Sequence, residues 1–170
     1  MGTNETYSKD KAFHTFGSKI RKRKRFELIS KAQKLAAEIT NACAKADKNY
    51  RLTICQDTRH NACDLVHMMR YANARELGDV RRVKAQMKAA EQIENLYDMI
   101  PILRICRCIT LGTEGEIEKS LLYVKSSFEG WLKSDLNRMK TNKEKNFEKA
   151  VKQLEFIIND YFPEEHSNGK

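Results

Sequence analysis

With 170 residues, the chain suits one domain plus appendages and is long enough to bury a sizeable core. Two prolines, seven glycines and 32% charged residues, without the alternation typical of strands, predict an all-α protein and argue against a sheet. The net charge of +9 and a pI near 9.3 favour a polyanionic partner, because clustered lysines and arginines displace counterions from phosphate backbones.

The positive charge is concentrated in two stretches. Residues 1–25 carry eight basic and two acidic side chains, and residues 48–112 carry eleven and seven. Between positions 19 and 25, six of seven residues are basic: Lys19, Arg21, Lys22, Arg23, Lys24 and Arg25. This run could be a solvated helix start, but like charges at such density repel one another unless a partner neutralises them. We therefore expect a flexible arm over residues 1–25 that contacts nucleic acid or an acidic protein.

Five cysteines are an odd number and include no Cys-x-x-Cys pair, which favours reduced thiols in a reducing compartment over a disulfide framework. No apolar signal segment follows the N-terminus. Arg104 and Arg107 interrupt the longest apolar run, from Ile100 to Leu111. These features predict a soluble, cytoplasmic chain.

Helical spacing of apolar residues predicts two helices in the first half of the chain. The first should run from about Phe26 to Ala46, with one apolar face of Leu28, Ala32, Leu35, Ala36, Ile39 and Cys43. The second, over residues 50–74 and ended by Gly78, has a buried stripe of Ile54, Thr58, Ala62, Leu65, Val66, Met69 and Ala72. Its opposite face carries Gln56, Arg59, Cys63, His67 and Arg70. We take this polar face as the first place to look for a partner.

A third helix should start after the N-cap residue Asp79 and stop at Gly112, with a kink before Pro101. Its inward residues are Val80, Val83, Met87, Ala90, Ile93 and Tyr97, followed beyond the kink by Ile102, Ile105, Cys106 and Ile109. Its opposite face carries Arg81, Lys84 and Lys88. The third helix therefore adds a second basic face.

Two further helices follow, each opened by capping-box spacing, at Thr113 and at Thr141. The fourth should bury Ile117, Leu121, Val124, Phe128 and Trp131, and should end before residues 137–140. The fifth should point Phe147, Ala150, Val151, Leu154, Ile158 and Tyr161 inward and end at Pro163. The pattern leaves open whether the fifth packs on the bundle or on a neighbouring subunit or partner. We predict an up-down four-helix bundle over 26–137, a basic arm over 1–25 and an extra amphipathic helix over 141–162.

Catalytic and metal chemistry have little support. His60, Cys63 and His67 lie at i, i+3 and i+7, and zinc could bind if Cys106 or Cys108 came close, but packing or surface cysteines are the preferred interpretation. We find no Gly-rich elbow, phosphate loop or Cys-His arrangement with an orienting acid. Trp131 could stack on bases, although its helical spacing favours the core. We expect no enzymatic activity, metal or small-molecule cofactor.

Three segments resemble the Avd-like four-helix bundle family, the accessory variability determinants of diversity-generating retroelements and their relatives encoded in 23S rRNA intervening sequences. They are Tyr50-Arg51-Leu52-Thr53, Tyr71-Ala72-Asn73-Ala74 and Gly130-Trp131-Leu132-Lys133-Ser134. Their order and spacing carry the resemblance, which covers about residues 26–134.

The resemblance implies a non-enzymatic bundle that assembles as a homopentamer and associates with a reverse transcriptase and its template RNA during mutagenic cDNA synthesis. By position in the matching stretch, Arg51, Arg59, Arg70 and Arg75 would contact polymerase or RNA, and the charge pattern adds Arg81, Lys84 and Lys88. The alternative is a helical interaction scaffold whose basic surface docks acidic protein partners.

Overall fold

Helices account for all the regular secondary structure that the computed structural model describes, over residues 27–141 and 148–162. They are α1 (Glu27–Cys43), α2 (Lys48–Arg51), α3 (Ile54–Asn73), α4 (Val80–Ile105), α5 (Leu111–Thr141) and α6 (Glu148–Tyr161). The prediction of an all-α protein is confirmed. The predicted basic arm lies outside the described residues.

The four longest helices and α6 share one apolar core. Helix α3 packs against α1 and α4, α5 packs against the same two helices, and α6 packs against α4 and α5. The predicted stripes of α1, α3 and α5 are confirmed, with Leu35, Leu65, Met69, Leu121 and Phe128 each fully buried. Burial of such side chains is the main driving force for this arrangement.

The second predicted helix is interrupted near its start. Asp47 caps the single turn of α2 by accepting a hydrogen bond from the N–H of Asn49 at 2.9 Å. The Thr53 hydroxyl donates to the carbonyls of Asn49 and Tyr50 at 3.2 and 3.3 Å, so it satisfies groups that a continuous helix would pair with backbone N–H. Our prediction of one continuous helix from residue 50 was therefore wrong. At its other end α3 stops at Asn73, before the predicted Gly78, which has φ 85° in the following turn.

The end of α4 was also predicted incorrectly. The helix stops at Ile105, well before Gly112, because Arg107 adopts φ 59° and reverses the chain. The N–H groups of Arg107 and Cys108 donate to the carbonyls of Arg104 and Leu103, each at 2.8 Å, which is the Schellman pattern. The predicted shift of the apolar face beyond Pro101 was wrong as well: Ile100 and Leu103 continue the buried stripe, and Ile102 and Ile105, both expected inside, are 41% and 69% exposed.

Helix α5 is longer than predicted at both ends. It begins at Leu111, where the Thr110 hydroxyl accepts the N–H of Thr113 at 3.2 Å, so Thr110 supplies the cap that we assigned to Thr113. It also continues through residues 137–140, the predicted break, because the buried Met139 extends the apolar stripe.

Helix α6 settles where the last amphipathic segment packs. Ala150, Leu154 and Ile158 are buried as predicted, and their partners are α4 and α5 of the same chain. The predicted start at Thr141 belongs to the end of α5, and residues 142–147, including Phe147, lie outside the described part of the chain.

Candidate nucleic-acid interface

The polar face of α3 is partly as predicted. Gln56, Cys63, His67 and Arg70 are exposed, whereas Arg59 is half-buried. The Arg59 guanidinium donates from Nε to the carbonyl of Cys55 and from Nη2 to that of Arg51, each at 3.1 Å. Arg59 is thus turned back onto the backbone at the start of α3.

Arg51 has a similar backbone contact. Its Nε donates to the carbonyl of Ala46 at 2.6 Å, which ties α2 to the end of α1. Together with Arg59 it holds the α1–α2–α3 connection. Because each guanidinium has five N–H donors, both arginines keep donors beyond these contacts.

The strongest grouping of predicted residues lies where α3 turns into α4. We call Tyr71, Arg75, Asp79 and Arg81 the α3–α4 corner. The Arg75 guanidinium lies over the Tyr71 ring, 4.4 Å from its centroid, a cation–π geometry. Arg81 forms an ion pair with Asp79, with Nη2 3.0 Å from Oδ2. The charge of Arg75 also acts on Asp79, and the Tyr71 phenol acts on Arg81, so the predicted Arg75 and Arg81 belong to one group.

Hydrogen bonds between Asp79 and Arg81 shift the pKa values of both side chains and favour their charged forms. The Arg81 side chain, followed by its backbone N–H at 2.8 Å, holds the pKa of Asp79 below its usual value, and Asp79 in turn raises the pKa of Arg81. Asp79 remains a carboxylate at neutral pH and caps α4. The corner thus contains two guanidinium groups and one carboxylate.

Two lysines extend the corner along α4. Lys84 and Lys88 follow Arg81 at i+3 and i+7, so they share its helix face, and both are exposed. Arg70, in the last turn of α3, is also exposed. A 20-residue helix such as α3 is about 30 Å long, so Arg51 and Arg59 form a separate group at its far end. The predicted residues form two basic groups rather than one continuous surface.

A buried polar lock beneath the corner was missed by our sequence analysis. We use this name for Arg82, Gln86 and Asp135. Asp135 Oδ2 accepts hydrogen bonds from Arg82 Nη2 at 2.6 Å, Arg82 Nε at 2.8 Å and Gln86 Nε2 at 2.9 Å. The Arg82 and Asp135 side chains are only 9% and 2% exposed. Such a pair is maintained because either charge alone would be costly to bury.

The polar lock fixes the corner in place. Arg82 Nη1 donates to the carbonyls of Ala72 at 3.1 Å and Arg75 at 2.9 Å, and the guanidinium lies 5.1 Å from the centre of the Trp131 ring. Residues 71–74 and 130–134 are two of the three segments on which the resemblance is based. Both therefore contact the same arginine, Arg82.

A signal for the polar lock was present in the sequence. Arg82 and Gln86 lie on the apolar stripe of α4 with Ala89 and Ile93, at spacings of 4, 3 and 4. On α5, Asp135 falls in the same stripe as Phe128. Opposite charges on two apolar stripes predict a buried ion pair, because an unpaired charge there would be unstable.

The residues weighed for zinc do not come together. Cys55 lies beside Cys43 and Cys108 in the core, where burial raises the pKa of all three thiols, that of Cys108 to about 11. Cys63, by contrast, is exposed on α3. Across residues 27–141 and 148–162, no three His, Cys, Asp or Glu side chains are placed to hold a metal ion.

The fold defines an all-α protein with bundle-like packing and a basic corner. None of its described helices is both long and apolar enough to span a bilayer. Comparison with protein-family models, curated proteins and solved structures finds no match to the chain.

Proposed function

We propose that this chain is a non-enzymatic, nucleic-acid-binding accessory protein that associates with a reverse transcriptase and its template RNA. In this proposal it belongs to the Avd-like family, α1, α3, α4 and α5 are the up-down four-helix bundle, and α6 is an addition. It acts in the cytoplasm, as a homopentamer, in mutagenic cDNA synthesis by a diversity-generating retroelement.

The observation that carries the proposal is the α3–α4 corner with its adjoining lysines. Arg75, Arg81, Lys84 and Lys88 supply four cationic side chains against two carboxylates, those of Asp79 and of the exposed Glu76 in the same turn. Tyr71, beside them, is 36% exposed and offers a ring on which Arg75 already stacks. Cations that neutralise phosphates beside an aromatic ring are typical of single-strand nucleic-acid binding.

The mechanism is positioning rather than chemistry. Phosphate contacts fix the register of a nucleic acid without reading its sequence. The polar lock keeps the corner in one geometry because Arg82 ties the Arg75 carbonyl to α5 through Asp135. A rigid basic corner would hold a template while the polymerase copies it. Arg51 and Arg59, at the other end of α3, and the arm residues 19–25 would add contacts to RNA or to the polymerase.

The test is a titration of the full chain with labelled single-stranded RNA at several salt concentrations, followed by fluorescence anisotropy. Each phosphate contact contributes a slope of roughly −0.7 in log affinity against log salt. The pair Arg75→Ala and Arg81→Ala should reduce the slope by about 1.4. The matched pair Lys149→Ala and Lys152→Ala removes two exposed charges from α6 and should change it little.

Two results would contradict the proposal. In the first, the Arg75→Ala and Arg81→Ala pair leaves the salt slope of RNA binding unchanged, whereas replacement of the six basic residues of 19–25 by Gln abolishes that slope. This result would assign RNA binding to the arm. The other is a failure of the chain to copurify with a polymerase encoded in the same operon, with or without RNA. Light scattering of the full chain tests the pentamer directly.

A further inference from the structure

A groove runs between α1 and α5 and is bordered by the end of α4, whereas the α3–α4 corner lies at the start of α4. Its volume is about 1580 Å³, above the 300–1,000 Å³ usual for small-molecule pockets. Apolar side chains line it, including Ala42, Ile109, Ile117, Leu122 and Tyr123. Leu122 and Tyr123 are 60% and 56% exposed, although both are large. An apolar groove of this size suits a segment of a macromolecule.

The rim of the groove is basic. Five cationic and two acidic side chains line it, and two of the cations are paired: Lys34 with Glu38, and Arg104 with the buried Glu114. The others, Lys45, Arg107 and Lys119, have no ion-pair partner among the described residues. Against the single carboxylate of Glu116, which has no ion pair among the described residues, three unpaired cations around an apolar floor are complementary to a segment that is apolar on one side and acidic on the other.

Arg107 is an unusual residue for its backbone position. It occupies the left-handed position of the Schellman motif at the end of α4, where glycine is the usual residue because it has no Cβ. Backbone strain of this kind is found preferentially at functional sites. An arginine at this position places a cation on the groove rim at a conformational cost that glycine would avoid.

The same residues favour a peptide over a nucleic acid. A phosphate backbone is polar along its whole length and gains nothing from contact with the apolar floor. The chain's own residues 1–25, with eight basic and two acidic side chains, have the wrong charge for this rim.

We propose that the groove between α1 and α5 is a docking site for an acidic amphipathic helix of a protein partner. The apolar stripe of the partner lies on the exposed Leu122 and Tyr123, above the buried Ile109 and Ile117, and its carboxylates pair with Lys45, Arg107 and Lys119. This site is separate from the nucleic-acid proposal, since the two share no residue.

The probe is a fluorescein-labelled synthetic peptide with leucines at helical spacing and glutamates on the opposite face, titrated against the full chain. We expect saturable binding, weakened on the order of tenfold by the pair Arg107→Gly and Lys119→Ala. The matched pair Lys84→Ala and Lys88→Ala removes the same charge from α4 outside the groove and should leave peptide binding unchanged while weakening RNA binding. Leu122→Ala should also weaken the binding of the peptide.

Arg107→Gly separates binding from folding. Since glycine fits the backbone better, this variant should melt at the same or a higher temperature while it binds the peptide less tightly. A fall in melting temperature with unchanged peptide affinity would make Arg107 structural and overturn the assignment.

Other outcomes would also overturn the proposal. These are no saturable binding of the acidic peptide, or equal binding of a peptide with lysine in place of every glutamate. Single-stranded RNA could also displace the peptide, and the Arg107→Gly and Lys119→Ala pair could weaken RNA binding more than any other pair tested. Together, these two results would assign the groove to nucleic acid. If light scattering shows that Leu122→Ala forms a smaller assembly than the native chain, the groove is a contact with a second copy of the chain.

Discussion

Removal of one partner of the polar lock tests the reasoning about the fold most directly. The change is Asp135→Ala, which deletes the acceptor of three hydrogen bonds of 2.6 to 2.9 Å. The Arg82 guanidinium would stay 9% exposed, as in the native structure, but without a counter-charge. Breaking a buried pair in this way costs about 3–5 kcal/mol. Against a total stability of about 5–15 kcal/mol, this is a large fraction.

The assay is urea unfolding at fixed protein concentration, followed by far-UV circular dichroism and by fluorescence of Trp131. Trp131 is the single tryptophan and lies 5.1 Å from Arg82, so it reports on the same region. A loss of 3–5 kcal/mol corresponds to a fall in Tm of roughly 6–20 °C for a chain of this length. Asp98→Ala, at an exposed position on α4, is the control and should change stability by less than about 0.5 kcal/mol.

A compensating variant distinguishes an unpaired charge from lost packing. Arg82→Met, Gln86→Leu and Asp135→Leu together remove every polar side chain of the lock, and apolar replacements of buried ion pairs are often neutral or stabilising. We expect this triple variant to recover most of the stability lost by Asp135→Ala. A loss below about 1 kcal/mol for Asp135→Ala, or a triple variant as unstable as the single one, would refute the reasoning.

Three further outcomes are expected. The low pKa of Asp79 makes a stabilising contribution that is present above its ordinary value of 3.8 and lost as pH falls through the folded value, so Asp79→Asn should flatten the acid limb of the stability profile. Because the pKa of Cys108 is raised from 9.0 to about 11, its thiol ionises at lower pH in the unfolded state than in the folded state, so the free energy of unfolding should decrease between those two pH values. At neutral pH, iodoacetamide should label the exposed Cys63 before the buried Cys108, which peptide mass mapping would show. Leu154→Ala should cost about 2–5 kcal/mol in urea unfolding if α6 is part of the core, whereas Phe156→Ala, at a 60% exposed position, should cost less than about 0.5 kcal/mol, and equal losses would contradict the packing of α6.

The apolar stripes were predictable because they depend on spacing within one helix. Leu35, Leu65 and Phe128 each repeat with their neighbours at the helical period, and all three are fully buried. The Asp79 cap of α4 was predictable for the same reason, since capping involves residues two or three apart.

Helix ends were harder to predict because single residues decide them. The left-handed conformation of Arg107 ends α4 where the sequence has no glycine, and the Thr53 hydroxyl separates α2 from α3. Neither choice is visible in hydrophobic spacing. A separate error, the predicted shift of the apolar face beyond Pro101, placed Ile102 and Ile105 in the core, although Ile100 and Leu103 are buried in their place.

The candidate interface was predicted as a set of residues but not as a geometry. Spacing along α4 places Arg81, Lys84 and Lys88 on one face, but it cannot reveal that Arg59 turns back onto the backbone or that Arg75 stacks on Tyr71. In the polar lock, Asp135 pairs with Gln86 and Arg82, which precede it by 49 and 53 positions in the sequence. Periodicity within one helix cannot pair such distant residues; the pairing becomes predictable only when opposite charges on two apolar stripes are matched.

The position of α6 limits how copies of this chain can assemble. By burying Leu154 and Ile157 against α4 and α5, α6 covers an apolar side that those two helices form together. In the proposed homopentamer, the contacts between subunits would have to use other surfaces, or each copy would first have to release α6. Deletion of α6 would uncover an apolar side, so a shortened chain and the full chain should differ in how many copies associate.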